Sequence, residues 1–288
     1  MGSQSLNEGT LFVVATPIGN LDDVSPRARE VLGAADLIAA EDTRVTGRLL
    51  SHFGIKTRQI ALHEYNEDAL VGRLTGKLLE GQSIALVSDA GTPLISDPGY
   101  RLLRAAHRAG IRVSPVPGAS ALITALSVSG LPTDRFAFEG FLPSKKAARL
   151  KRLQSVAEEP RTLVFYESVH RIAATIADMI DTFGADRMAF VGRELTKLHE
   201  QCVSADLATV AHMLADGRIP EKGEFVVAID GCGETAASRS EVTLDRLLEA
   251  LTDELPGKQA VELAARVSGK SRNELYRRML ELKSAREA

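Results

Sequence analysis

The side chains of this chain that could do chemistry gather in short polar loops, each directly after an apolar run. The clearest is Ser88-Asp89-Ala90-Gly91-Thr92-Pro93, which ends the run 84–87. Thr16-Pro17-Ile18-Gly19-Asn20 and Pro117-Gly118-Ala119-Ser120 are built the same way after 10–15 and 113–116. Glycine lets such a loop bend or approach a ligand, and proline keeps it stiff. Backbone N–H and C=O groups held open in this way suit a nucleoside-like ligand, and the small side chains let it come close. Other loops carry charge: Glu41-Asp42-Thr43-Arg44, His63-Glu64-Tyr65-Asn66, residues 166–171 with Glu167 and Arg171, and residues 192–197 with Arg193, Glu194 and Lys197. There is no GxxxxGK[ST] and no GxGxxG after the first apolar run, so neither a P-loop nor the ordinary dinucleotide fingerprint is present.

These loops need a frame. Short apolar runs at 10–15, 36–40, 59–62, 84–87 and 113–116 alternate with helical spacing at 25–32, 45–53, 67–80 and 99–109. Asp97-Pro98-Gly99 predicts the start of that last helix, with Asp97 as N-cap and Pro98 in the first turn. The alternation predicts an α/β fold with a parallel sheet, whose strand-end loops collect along one edge. A helix over 121–128 ends at Gly130-Leu131-Pro132, which reads as a boundary. Beyond it, strands are predicted at 135–141, 162–166, 188–191 and 224–229, and helices from 145, at 169–183 and at 204–214, giving a smaller mixed sheet. The loops 166–171 and 192–197 then face the first set across a cleft between two domains, a usual place for a ligand. Residues 235–240 (TAASRS) read as a linker, and 242–252, 257–267 and 272–284 as helices. Ser268-Gly269-Lys270-Ser271 joins the last two in a helix-turn-helix pattern. The chain thus divides into a frayed tail (1–10), an N-terminal domain (11–130), a second α/β domain (131–234) and a helical C-terminal domain (241–288).

Composition narrows the chemistry. A net charge of −3 over 288 residues announces no nucleic-acid binder by bulk electrostatics and leaves only local basic patches to do such work. Aromatic residues make up 5% with no tryptophan, which argues against base-stacking platforms. Cys202 and Cys232 form no CxxC and suit a reducing, cytoplasmic setting. The histidines make no metal-ligand spacing, so no metal is expected. No apolar run is long enough to cross a membrane.

In order along the chain stand TPIGNLDD (16–23), AEDTR (40–44), SDAGTPLISDPG (88–99), PVPGAS (115–120), GFLP (140–143), FYESVHR (165–171), GRELTK (192–197) and GEFVVAI (223–229). Together they resemble a ribosomal-RNA-modifying branch of the tetrapyrrole methylase superfamily, over about residues 11–285. The resemblance implies two α/β domains with S-adenosylmethionine held in the cleft between them, and a homodimer. It implies methylation of the 2′-hydroxyl of a cytidine in the decoding region of 16S rRNA, within the small ribosomal subunit. Matched motif by motif, it places Gly91, Thr92, Pro93, Leu94 and Ile95 on the methionine and ribose parts of the cofactor. Pro17, Ser120 and Ala121 line the same pocket, and Tyr166, Arg193, Glu224 and Phe225 surround the adenine and the methionine tail. Thr92 stands where the tetrapyrrole-binding branch has aspartate, which argues against a porphyrinoid substrate. Asp89 and Asp97 then read as loop and cap residues.

The implied reaction is an in-line displacement in which a ribose hydroxyl attacks a sulfonium methyl, helped by alignment and a proton acceptor. Glu167 or Glu194 is expected to assist deprotonation. Arg44, Arg193 or Lys197 is expected to hold phosphate or orient the ribose, with Glu41 in the same polar set. Each Glu/Arg pair reads equally as a structural ion pair. RNA would be gripped by Lys145, Lys146 and Arg149, beside Lys151 and Arg152, and by Arg272, Arg277, Arg278 and Lys283 on the last helix. Two other readings stay open: a tetrapyrrole methyltransferase, and a ribosome-assembly factor that binds RNA without turnover.

Overall fold

A computed structural model of the chain describes residues 9–232 and 235–287. The expected frayed tail lies, up to residue 8, outside the described residues. The first sheet comprises β1 (Thr10–Val14), β2 (Leu37–Ala40), β3 (Gln59–Ala61), β4 (Ile84–Val87) and β5 (Arg112–Val116) in the order β3-β2-β4-β1-β5, and every pairing is parallel. β2 and β4 are buried along their whole length, as parallel strands covered on both faces must be. Helices α1 (Pro26–Ala34) and α2 (Thr43–His52) cover one face, where Val31, Leu32 and Leu50 meet Phe12, Val14 and Ala85. Helices α3 (Glu67–Leu79) and α4 (Tyr100–Arg108) cover the other, where Leu74, Leu78 and Leu102 meet Leu11, Ile84 and Leu86. Neighbouring residues of one strand therefore serve opposite cores, the period-2 geometry of a strand. β1 and β4 lie side by side, yet the helices that follow them, α1 and α4, go to opposite faces. The divergence opens a crevice at their carboxyl ends.

Helix α5 (Ala121–Ser129) follows β5 but packs elsewhere. Its Leu122, Ala125 and Leu126 lie against Val164, Phe190, Val226 and Ala228 of a second five-stranded sheet. That sheet comprises β6 (Phe136–Phe141), β7 (Thr162–Ser168), β8 (Met188–Arg193), β9 (Gln201–Asp206) and β10 (Glu224–Ile229) in the order β6-β7-β10-β8-β9. β6 and β7 are parallel and the remaining pairs antiparallel, so the sheet is mixed, but it has as many strands as the first and is not the smaller one. Its other face is covered by α7 (Ile172–Phe183) and α8 (Leu207–Ala215), while α6 (Lys146–Ser155) adds Leu153 to the same core. The expected helix over 204–214 is corrected: Gln201–Asp206 is an edge strand, and Asp206 caps α8 by accepting the Thr209 N–H at 2.7 Å. Residues 169–171 are a turn rather than helix.

Both sheets fall in one compact unit that ends at Asp230. A second unit starts at Gly231 and takes in Glu158–Pro160. The second unit is helical: α9 (Thr235–Glu254), α10 (Gly257–Ser268) and α11 (Arg272–Glu287), around Leu248, Val261, Ala264, Leu275 and Met279. The linker expected at 235–240 is instead the first turns of α9. Gly269, at φ 71°, closes α10 in the left-handed conformation that helix ends favour. No helix among the described residues is long and apolar enough to cross a membrane.

Candidate active site

The loops at the carboxyl edge of the first sheet are tied to one another. Thr16 and Gly91 exchange both backbone hydrogen bonds, at 2.8 and 3.0 Å. Gly91 makes this approach at φ +80°, with Ile18 packed where a Cβ would be crowded, which is why glycine stands there. Thr92 Oγ1 donates to the Ala119 carbonyl at 3.0 Å and so joins the loop after β4 to the loop after β5. The Asp89 N–H donates to Glu41 at 3.2 Å, and the Asp42 N–H donates to Asp89 at 2.9 Å, which clasps the loops after β2 and β4. From the second sheet Tyr166 accepts the Leu122 N–H at 3.2 Å, and the rings of Phe138 and Phe141 lie edge-on to it at 4.9 and 5.6 Å. Among the described residues, the non-glycine residues at positive φ are Leu94, Ser96, Glu194 and Thr196. All sit in the loops 94–96 and 194–196. Backbone strain of this kind, about 1–3 kcal/mol per residue, concentrates at functional sites.

Between these walls is a cavity of about 470 Å³. Of the residues matched to cofactor contacts, it is lined by Gly91, Thr92, Ile95, Ser120, Ala121, Tyr166, Glu224 and Phe225. Pro17, Pro93 and Leu94 do not line it, although Ile18 beside Pro17 does. Arg193 is a correction. Its side chain is buried, its guanidinium donates to the backbone carbonyls of Lys222 at 2.6 Å and His199 at 2.9 Å, and it does not line the cavity, so it braces two loops.

The acids expected to act as a base are also placed differently. Glu167 lines the cavity, but its carboxylate pairs with Arg171 at 2.6 Å and accepts from Thr175 Oγ1 and the Ser168 N–H, each at 2.7 Å. Glu194 does not line the cavity; it accepts from Lys197 and from the Glu224 N–H, each at 2.9 Å. Burial opposes its ionisation, but the Lys197 hydrogen bond, the Glu224 N–H and the nearby cations together hold it below the usual carboxylate range. Lys197 bridges Glu194 and Glu224 at 2.9 Å each and is correspondingly spent. Arg44 is 85% exposed and pairs with Asp42 at 2.5 Å; that hydrogen bond is the main cause that holds Asp42 at about 2. His63 does not line the cavity.

The acids that do face the cavity without a cation are Glu41, Asp89 and Asp97. Burial is the largest cause raising each of them. Asp97 is raised furthest, to about 6, as the charges of Glu41 and Asp89 add to burial and a Ser88 hydrogen bond opposes. Asp97 is also not the cap of α4 that the sequence predicts. The N-cap is Gly99, at φ 118°, and the orphan N–H groups of Arg101 and Leu102 go to the buried Glu67 at 2.8 and 3.0 Å. A residue before proline is held extended whether it caps a helix or not, so Asp-Pro-Gly carries no signal that separates the two.

Of the expected RNA-binding residues, Lys145, Lys146, Arg277 and Lys283 are exposed. Arg149 is another correction: it is buried and pairs with the buried Asp178 at 2.6 Å. Arg149→Ala is expected to lower stability by about 3–5 kcal/mol in urea unfolding, because it leaves the buried Asp178 carboxylate with only the longer, exposed Lys146 contact at 3.6 Å. Lys145→Ala should leave the midpoint unchanged. In the second unit Arg272 pairs with Glu262 at 2.9 Å, and Arg278 clamps Asp245 with bonds of 2.8 and 2.7 Å, joining α11 to α9.

Residues 10–211 match the family described as Tetrapyrrole (Corrin/Porphyrin) Methylases, and residues 238–283 match the RsmI C-terminal HTH domain. The chain belongs to the tetrapyrrole methylase family. Within it, the chain is 54% identical over 269 residues to ribosomal RNA small subunit methyltransferase I of Xylella fastidiosa (strain Temecula1), covering 93% of this chain and 98% of that protein. It is 52% identical over 280 residues to the protein of the same name from Pseudomonas aeruginosa, covering 96% and 98%. A solved structure of the same fold is uroporphyrin-III C-methyl transferase from Thermus thermophilus complexed with S-adenyl homocysteine. It has a TM-score of 0.53 at 18% identity and covers 77% of this chain and 97% of that one.

Proposed function

We propose that this protein transfers a methyl group from S-adenosylmethionine to the 2′-hydroxyl of a cytidine in the decoding region of 16S rRNA. It would act as a cytoplasmic homodimer on the small ribosomal subunit. The observation that carries the reading is the similarity, at about half identity and over nearly the full length, to proteins named ribosomal RNA small subunit methyltransferase I. The cavity is compatible with the cofactor. Its volume of about 470 Å³ lies in the range of small-molecule sites, and Ser120, at the start of α5, makes no side-chain capping bond and keeps its hydroxyl for a ligand. Gly91, Thr92 and Ile95 would hold the methionine and ribose parts from one wall, and Tyr166 and Phe225 would flank the base from the other. When bound, S-adenosylmethionine supplies an electrophilic methyl on a positively charged sulfur.

The chain's own residues have the remaining tasks. Asp97, ionised above about pH 6, accepts the proton of the attacking hydroxyl. Burial first, and then the charges of Glu41 and Asp89, keep its proton affinity high. Glu167 and Arg171 fix the loop after β7, and Glu194 with Lys197 fixes the loop after β8. Mass spectrometry of small-subunit rRNA from cells with and without the protein tests the reading. A 2′-O-methylcytidine that appears only with the protein supports it, and an identical modification profile overturns it.

A further inference from the structure

The fold leaves a second recess, lined by no residue matched to the cofactor. On the face of the first sheet that carries α3 and α4, the two helices flank an open groove of about 620 Å³. Arg101, Arg104 and Arg108 line it from α4, and Asp68 and Gly72 from α3, with Ala105 between. Residues 100–112 hold four arginines and a histidine and no acid, in a chain whose net charge is −3. Arg101 pairs with Asp68. Arg104 and Arg108 are exposed and make no hydrogen bond or ion pair among the described residues. By contrast, Arg149, Arg152, Arg272 and Arg278 of the basic segments read from the sequence are each paired with a carboxylate.

Position and chemistry fit one occupant. Residues four apart on a helix share a face and are separated by about 6 Å of axial rise, the scale of one nucleotide's backbone. Guanidinium forks take phosphate bidentately, and the small Gly72 and Ala105 leave both forks unobstructed. α4 begins directly after the loop 91–99 that walls the cavity, and Glu67 anchors its first turn by accepting the Arg101 and Leu102 N–H groups. The arginine ridge is thus held in fixed relation to that loop.

We propose that the α3/α4 groove seats the phosphodiester backbone of the RNA strand next to the nucleotide that enters the cavity. The inference rests on the RNA-methylating reading and adds a docking surface to it. Arg104→Ala/Arg108→Ala in the full chain tests it, against Lys56→Ala/Arg58→Ala, which removes the same charge near the opposite, amino-terminal edge of the sheet. Small-subunit particles are titrated over a salt series, with single-turnover methylation, cofactor affinity by calorimetry and sedimentation measured in parallel. The groove variant is expected to bind particles about tenfold more weakly, with a salt slope shallower by about 1.5. Its rate at saturating particle, its cofactor affinity and the control variant should be unchanged. An unaltered slope and affinity, in a protein whose wild type methylates, overturns the groove and leaves the functional reading standing. A wild type that binds particles but does not methylate them overturns the functional reading, and the slope difference still decides the groove. A variant that changes only its sedimentation marks the groove as a contact between copies of this chain and also overturns the inference.

Discussion

Asp97→Asn is expected to slow single-turnover methylation by about a hundredfold or more, the usual yield of a positioned proton acceptor, while cofactor affinity stays within about twofold. The pH dependence separates this role from a merely structural one. In the wild type the rate should rise about tenfold per pH unit up to about pH 6 and then level off. The groups that face Asp97 are Glu41 at the end of β2, Ser88 and Asp89 at the end of β4, and Tyr166 of β7. Glu41→Gln removes a neighbouring negative charge and should move the rise to lower pH. Stability runs the other way. Folding raises the pKa of Asp97 from 3.8 to about 6, so its contribution is fully present below 3.8 and is lost as pH rises through about 6. Asp97→Asn should therefore melt higher than wild type above pH 6, with the gap closing toward pH 4. A variant that gains stability and loses chemistry fits the exchange that active sites show between the two. A rate within a few-fold of wild type would remove Asp97 from the mechanism.

Glu167→Ala should fail in the opposite manner. The carboxylate is fully buried, and Arg171, Thr175 and the Ser168 N–H converge on it at 2.6–2.7 Å. Truncation takes the counter-charge from a partly buried guanidinium, which keeps only the neutral Ser168 hydroxyl and Leu142 carbonyl, and leaves the Thr175 hydroxyl without an acceptor; it is expected to cost about 3–5 kcal/mol. The urea midpoint should fall accordingly, and the rate per folded molecule, measured well below the melting temperature, should stay within a few-fold of wild type. Full stability with a hundredfold slower reaction would return Glu167 to the chemistry.

The opposite roles of these two acids show what the sequence can and cannot convey. Buried strands are its plainest content: 84–87 and 224–229 read to the residue, because unbroken apolar runs end in polar loops. β9 is lost because Gln-Cys-Val-Ser-Ala-Asp lies half exposed at a sheet edge and runs straight into a helix. Residues 235–240 look like a linker by composition, yet alanine and arginine favour helix and serine tolerates it. The cleft follows from strand-end loops alone, since a parallel sheet collects them along one edge. The commitments of individual charges do not follow. Arg149 finds Asp178 across 29 positions, and Arg193 finds carbonyls rather than carboxylates. Sequence spacing encodes neither.

Helix α5 bears on how such a chain could be rebuilt by recombination. By connectivity it closes the first half, and by packing it belongs to the second, where Leu122, Ala125 and Leu126 rest on Val164, Phe190 and Val226. A crossover at the Gly130 turn would look harmless on a linear map. In three dimensions it would cut through a shared core, and any imported second half would have to bring a surface already shaped to this helix. The two halves of the molecule are therefore constrained to diverge together rather than to be exchanged as separate modules.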